Sequence, residues 1–269
     1  KASLLFQPIV DLGGAIQPTA IAFDTDGLLW IGLEGYVGLY RPSTKSFETI
    51  EIPSNSRSDR FGTTYTSAVI TLLELDDGMI GVNSTTVFDL RKSQSGNVLI
   101  TPLVDLQEYI ASGVTTAIVA NGGLYIGTNR DGLLFVDLTS LEVNQITQGP
   151  GGQDLPSDTI TALLADEDGV WIGTPNGLVY TADSGRTFQH YTAFSSGLPS
   201  NWIVGLYKSS DGSYWVGTRQ GLAQGARTQF DSFNTTNARL SHNHINAIHQ
   251  DQAGNLWVGT QDGLNRLAP

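Results

Sequence analysis

The chain has no cysteine among its 269 residues, which removes thiol nucleophiles, disulfides and cysteine-rich zinc sites together. That absence selects no compartment, because a domain of this size buries a core without disulfides. Lysine is sparse, being found only at Lys1, Lys45, Lys92 and Lys208. With 26 acidic against 14 basic residues the net charge is -12, and no Lys/Arg cluster interrupts it. Nucleic acid is excluded as a partner, since phosphate-backbone binding needs a positive face, and anionic membranes are disfavoured for the same reason. No apolar run is long enough to span a bilayer. Lys1-Ala2-Ser3 is no signal peptide and no initiator Met precedes it, so the start reads as a trimmed or processed end. Helical apolar periodicity is missing, against paired-helix solenoids. Glycine, 31 residues, is not spaced every third position, against collagen.

What is present is a repeat. The segment Gly169-Val170-Trp171-Ile172-Gly173-Thr174 has relatives at residues 29–32, 79–81, 124–128, 214–218 and 256–260. The second glycine of each copy falls at Gly32, Gly81, Gly127, Gly173, Gly217 and Gly259, spaced by 49, 46, 46, 44 and 42 residues. This period is too long for a leucine-rich repeat and fits one four-stranded propeller blade per copy. In the clearest copy, residues 160–165, 170–174, 178–181 and 187–192 read as strands. Asp166-Glu167-Asp168-Gly169, Pro175-Asn176-Gly177 and Asp183-Ser184-Gly185 supply the turns between them.

The next copy reads as strands 202–207, 214–218, 222–225 and 229–233, and the last as 245–250, 256–260 and 264–267 with no fourth. A spare strand, residues 4–10, precedes the first copy. The expectation is an all-β, six-bladed propeller of four-stranded blades forming one domain over 1–269. Its N-terminal strand completes the last blade, which removes exposed strand edges. Residues 53–66 are too polar and long for an ordinary connection and read as an inserted surface loop. Residues 101–113 are the other weak stretch, and the second copy is degenerate, lacking the Gly-Leu that follows the turn elsewhere.

Trp30, Trp171, Trp215 and Trp257, with Tyr125 in the equivalent place, share one strand register, so they should pack between blades. The glycine two residues on should leave room for a neighbour's side chains. Acids in the recurrent turns, such as Asp24, Asp166, Asp211 and Asp251, should accept backbone hydrogen bonds there. None of these turns has the ligand spacing of a helix-loop-helix calcium site. Gly149-Pro150-Gly151-Gly152 lacks the Lys-Ser/Thr of a phosphate loop. No catalytic constellation, metal site or cofactor site stands out.

Three segments carry a specific resemblance. Leu155-Pro156-Ser157-Asp158-Thr159-Ile160, Leu198-Pro199-Ser200-Asn201-Trp202-Ile203 and Leu240-Ser241-His242-Asn243-His244-Ile245 each run on to a Trp-Ile/Val-Gly-Thr strand and a Gly-Leu. This pattern resembles the two-component regulator propeller repeat. The resemblance implies the periplasmic or extracellular sensor part of a bacterial hybrid sensor kinase or related regulator, whose kinase domains would lie outside this chain. Such domains often have seven blades, so six is a departure. Locally, Thr181-Ala182-Asp183-Ser184-Gly185-Arg186-Thr187-Phe188 resembles an Asp-box, which implies a structural role for Asp183 in its hairpin. Sialidases with such boxes use three arginines. Arg130 and Arg219 occupy corresponding loops here, without a convincing third.

The candidate site follows from blade geometry. Crossings between blades and turns between second and third strands gather on one face. Tyr65, Asn201, Trp202, His242 and His244 come from crossings, and Glu34, Arg130 and Arg219 from second-to-third-strand turns. These residues suit a polar small molecule, a carbohydrate or a peptide. The function expected is a non-catalytic ligand-sensing or protein-interaction module. The alternative is a divalent-metal-dependent lyase or glycan-active propeller enzyme built on His242, His244 and nearby acids such as Asp158 or Glu34, as the histidines of streptogramin-lyase-like propellers imply.

Overall fold

The computed structural model describes residues 17–53, 57–58, 64–65, 68–75, 78–93, 97–149 and 154–269. The expected closing strand at residues 4–10 lies outside them. The chain forms two compact units, residues 1–108 and 109–269.

In the first unit, β1 (Ala20–Phe23), β2 (Leu29–Gly32), β3 (Tyr36–Arg41) and β4 (Ser46–Glu51) form one antiparallel sheet in chain order. A short hairpin, β5 (Arg57–Ser58) with β6 (Thr64–Tyr65), lies within the stretch read as an inserted loop. A second sheet holds β7 (Val69–Leu75), β8 (Gly78–Asn83), β9 (Thr86–Lys92) and β10 (Val98–Asp105). The weak stretch at 101–113 thus continues a strand of eight residues, whose register shifts at Pro102 and hides the alternation.

The second unit repeats the meander. Its strands are β11 (Val114–Ala120), β12 (Gly123–Thr128), β13 (Leu133–Asp137), β14 (Val143–Ile146), β15 (Ala162–Ala165), β16 (Val170–Thr174), β17 (Gly177–Thr181) and β18 (Gln189–Tyr191). A four-residue helix, α1 (Ala193–Ser196), precedes β19 (Ile203–Lys208), β20 (Tyr214–Thr218), β21 (Gly221–Gly225), β22 (Phe230–Phe233), β23 (Ile245–Gln250), β24 (Leu256–Thr260) and β25 (Gly263–Leu267). These make three four-stranded sheets and a final three-stranded one. The six sheets, two in the first unit and four in the second, are the six blades. β25 is the last sheet's outer strand, and its Leu264 and Leu267 are exposed.

The repeat glycine and the crossing isoleucine explain each other. A Cβ on Gly173 would lie 2.6 Å from Ile203 Cγ2, one on Gly127 2.7 Å from Ile160 Cγ2, and one on Gly217 2.8 Å from Ile245 Cγ2. Gly32 meets Val69 in the same way in the first unit. In these four places the inner-strand side seats its first apolar residue against the backbone of the preceding blade. Beside these contacts Trp30, Tyr125 and Trp171 are about 1% exposed and Trp215 5%, each packed among residues of two successive blades. Trp171 alone lies 5.0–5.2 Å from the rings of Tyr180, Tyr191 and Tyr214. Burial of an aromatic this size contributes about 3–5 kcal/mol against truncation to Ala. Trp257, in the last blade, is half-buried.

The Thr of the motif is a hairpin lock. Thr174, Thr218 and Thr260 hydroxyls donate to the carbonyls of Gly177, Gly221 and Gly263 at 2.8, 2.8 and 3.0 Å. Those glycines have φ of 145°, 149° and 148°, which L side chains rarely adopt, so the Gly of Gly-Leu is required. In the degenerate second blade Val82 stands at the Thr position, and Asn83, one residue on, holds the turn instead: its Oδ1 accepts the N–H groups of Thr85 and Thr86 at 2.9 and 2.8 Å. A different side chain solves the same turn, and the Gly-Leu is dispensed with.

Candidate functional site

Three crossings in the 109–269 unit are built alike, and each holds up one variable side chain. In residues 155–160, 198–203 and 240–245 the third position turns the chain on itself. Ser157 Oγ accepts the Thr159 N–H at 3.1 Å, Ser200 Oγ the Trp202 N–H at 3.1 Å, and His242 Nδ1 the His244 N–H at 2.9 Å. The fourth position clips the crossing to the segment before it. Asp158 Oδ1 accepts from Gln148 N–H at 2.5 Å, Asn201 Oδ1 from Ala193 N–H at 2.7 Å, and Asn243 Oδ1 from Thr235 N–H at 2.8 Å. The sixth position is the buried isoleucine. The fifth position, occupied by Thr159, Trp202 and His244, differs in all three copies.

Two of the candidate residues also serve the frame. Asn201 spends its carbonyl oxygen on its own crossing, and His242 stands where the other copies have a serine. With Nδ1 accepting the His244 N–H, His242 braces the backbone of its crossing. Among the described residues no three His, Asp or Glu converge as metal ligands.

Trp202 and Arg219 are brought together. The Trp202 carbonyl accepts the Arg219 N–H at 3.2 Å, and the Arg219 Cζ sits 3.4 Å from the Trp202 ring centroid. At that separation the guanidinium rests on the indole face, a contact of about 0.5–1 kcal/mol at an exposed position. Trp202 is 37% exposed, so the pair faces solvent and not the core between blades. His244 and Gln261 repeat the backbone link in the last blade, with Gln261 N–H donating to His244 O at 3.0 Å. Arg130 is exposed on the turn between β12 and β13, its N–H held by Ser112 Oγ at 2.8 Å. Asp131 beside it accepts from Ala111 N–H, Ser112 N–H and Ser112 Oγ, which fixes that turn. No described contact joins Arg130 to Trp202. Glu34 is exposed in the other unit, bridged to Ala68. Tyr65 lies on β6, and its side chain is outside the described residues.

Sequence reasoning missed Phe194, which is fully exposed on α1. Thr192 and Ser195 cap that helix reciprocally, and Gly197 ends it at φ 80°. The Asn201 clip grips Ala193, so Phe194 and Trp202 flank the two ends of one hydrogen bond. The signal was readable as Thr192 followed by Ser195 and Gly197 inside a crossing.

The opposite ends of the strands are occupied by structure. Asp24 and Asp251 accept turn N–H groups as expected, and also the indole N–H of Trp30 at 2.9 Å and Trp257 at 2.8 Å. The Trp257 and Asn255 bonds hold the Asp251 carboxyl at about 2. In the clearest copy the turn is one residue shorter, and Asp166 serves the next blade instead. It takes Lys208 Nζ and Arg227 Nη2 at 2.7 Å each and the Tyr214 hydroxyl at 2.5 Å. Burial would raise its carboxyl, but these donors outweigh burial and hold it well below the carboxylate range. The indole N–H of Trp171 is consequently left without a partner. Lys92 similarly joins Asp24 at 2.9 Å and Asp26. Two clefts lie at these ends: one of about 260 Å³ beside Asp24, Trp30 and Lys92, and a shallow one of about 580 Å³ beside Tyr207, Lys208 and Asp251. Neither contains a candidate site residue. Asp183 accepts Arg186 and Thr187 N–H groups at 3.0 and 2.9 Å and the Thr187 hydroxyl at 2.7 Å, the structural role implied by the Asp-box likeness.

Residues 154–176, 197–220 and 239–262 match the family model described as two component regulator propeller. These three segments are similar to two-component regulator propeller repeats. Each matched segment begins in a crossing described above and ends in the turn after the Gly-Thr lock. A search of the curated proteins found no match. Among solved structures the chain is similar to virginiamycin B lyase from Staphylococcus aureus, at 11% identity and TM-score 0.63, covering 94% of this chain and 84% of the lyase. It is similar to PorZ, a surface component of the type-IX secretion system of Porphyromonas gingivalis, at 16% identity and TM-score 0.65, covering 94% of this chain and 39% of PorZ. It is also similar to the extracellular domain of a putative hybrid two component system from B. thetaiotaomicron, at 17% identity and TM-score 0.51, covering 95% of this chain. The chain spans 52% of that domain. At these identities the likeness speaks for fold, and the fold is an all-β propeller.

Proposed function

We propose that the chain is a non-catalytic ligand-sensing or protein-interaction propeller, the sensor part of a bacterial signalling protein, acting in the periplasm or outside the cell. The observation that carries the reading is the exposed Trp202–Arg219 pair, held by backbone bonds on a crossing whose other residues serve the frame. An aromatic surface beside a positive charge suits a polar small molecule, a carbohydrate or a peptide. The repeats support a signalling context, as does the fold shared with the extracellular domain of a putative hybrid two component system. Kinase or other output domains would lie outside this chain, and binding would bias them.

Two measurements test the reading. The intact gene should encode a membrane-spanning segment and a kinase or other output domain beside the propeller, and a complete reading frame without either would refute the signalling role. Calorimetric titration with Zn²⁺, Mn²⁺ and Mg²⁺ should give no stoichiometric binding that depends on the histidines. One equivalent of metal, lost in His242→Ser/His244→Ser, would favour a metal-dependent lyase instead.

A further inference from the structure

Arg219 is immobilised without an acid. Arg41, Arg91, Lys92, Lys208 and Arg227 all reach carboxylates. Arg219 reaches none among the described residues, although the chain has 26 acidic residues to 14 basic. A guanidinium donates its hydrogen bonds in its own plane, so lying on an indole leaves them unspent. Two parallel N–H groups of that fork match the two oxygens of a carboxylate. The Trp202 stack and the backbone bond have already removed much of the side chain's freedom, which lowers the entropy cost of using it.

Phe194 adds a second element. A fully exposed aromatic on a single helical turn costs solvation, yet the turn is fixed by its capping box, its Gly197 end and the Asn201 clip. These bonds hold Phe194 out on a segment clipped to Asn201, the residue before Trp202. The patch is thus one fixed cation with apolar surface around it. A phosphate dianion would call for a second cation, and none stacks or pairs here among the described residues.

We propose that Arg219, stacked on Trp202 with Phe194 on the segment clipped to the same crossing, binds a ligand that carries a carboxylate next to a planar or apolar body. The carboxylate takes the guanidinium fork, and the body covers Trp202 and Phe194. This rests on the ligand-binding reading above and names the chemistry of that ligand. The carboxylate can belong to a free organic acid or to the end of a peptide.

Amide and side-chain NMR of the full chain distinguishes these, using two matched pairs of probes: phenylacetate with phenylacetamide, and Gly-Gly-Phe with its C-terminal amide. The carboxylate member of at least one pair should bind at least tenfold tighter, with saturable shifts at the Trp202 indole N–H and the Arg219 Nε–H. The pair showing the preference names the source. Arg219→Gln should abolish the preference without changing Tm, since the side chain is exposed. Equal shifts from acid and amide at Trp202 would overturn the carboxylate inference and leave the binding site standing. Shifts confined to other residues, or none with any probe, would overturn the inference together with Trp202 as its floor.

Discussion

Replacing Gly173 by Ala puts the coupling between blades to a quantitative test. The new Cβ would stand 2.6 Å from Ile203 Cγ2, 3.1 Å from Ile203 Cβ and 3.3 Å from Ala162 Cβ. Real Cβ atoms do not approach so closely, so the fourth and fifth blades must part or Ile203 must leave its rotamer. Overpacking of this kind costs about 1–3 kcal/mol. Stiffening the unfolded chain returns about 0.4–1 kcal/mol, so the net loss should be about 1–2 kcal/mol. For a domain of this size that is a fall in Tm of roughly 2–8 °C. Ile203→Ala alone empties a fully buried position and should cost about 2–5 kcal/mol. In the double variant the 2.6 Å contact is gone, so the combined loss should be smaller than the sum by about 1 kcal/mol. Gly205→Ala is the control: nothing lies within 4 Å of its Cβ position, and it should be neutral or slightly stabilising. Urea unfolding of the parent and the four variants decides the matter. Additivity within about 0.5 kcal/mol, or a Gly173→Ala as harmless as Gly205→Ala, would refute the seating of isoleucine on glycine.

Further outcomes follow from other contacts. Asp166 has its carboxyl depressed in the folded chain, so its contribution is present above the ordinary carboxylate value of about 3.9 and is lost as pH falls through and below it. Asp166→Asn should therefore lower Tm at pH 7 and flatten the acid limb of a Tm-against-pH curve; an unchanged curve would remove the network from the account. Asn201→Ala should speed amide exchange at Ala193 several-fold or more while the strands stay protected, and unchanged exchange would deny the clip. Deleting residues 1–12 tests the sequence's expectation that 4–10 completes the last blade: Tm should drop by several degrees, and a melt within a degree or two of the full chain would exclude that closure.

The blades were legible because the signal repeats. Gly173, Trp171 and Thr174 recur in phase, and strands such as β16, β20 and β24 fall on the residues the pattern marks. What the phase could not tell was which polar residues serve the frame. Asn201 reads like a ligand-facing amide until the three crossings are superposed, when Asp158, Asn201 and Asn243 make the same bond. His242 reads as a candidate ligand by its spacing from His244, and the phase does not show that its Nδ1 also takes the place of a serine oxygen. Asp24 was legible as a turn acid, but its second bond to Trp30 depends on a turn length that the shorter Asp166 turn lacks. Phe194 was invisible because a lone aromatic in a crossing has no periodic partner to set its side.

The most direct test of the account is Trp202→Ala, measured for stability and for binding on the same preparation. The tightest ligand from a screen of polar metabolites, glycans and peptides serves as the probe. If Trp202 is a reader on a frame held by Ser200, Asn201 and Ile203, affinity should fall by about 2 kcal/mol, roughly thirtyfold, with Tm within about 2 °C of the parent. A lowered Tm with unchanged affinity per folded molecule would contradict the account and return Trp202 to the core.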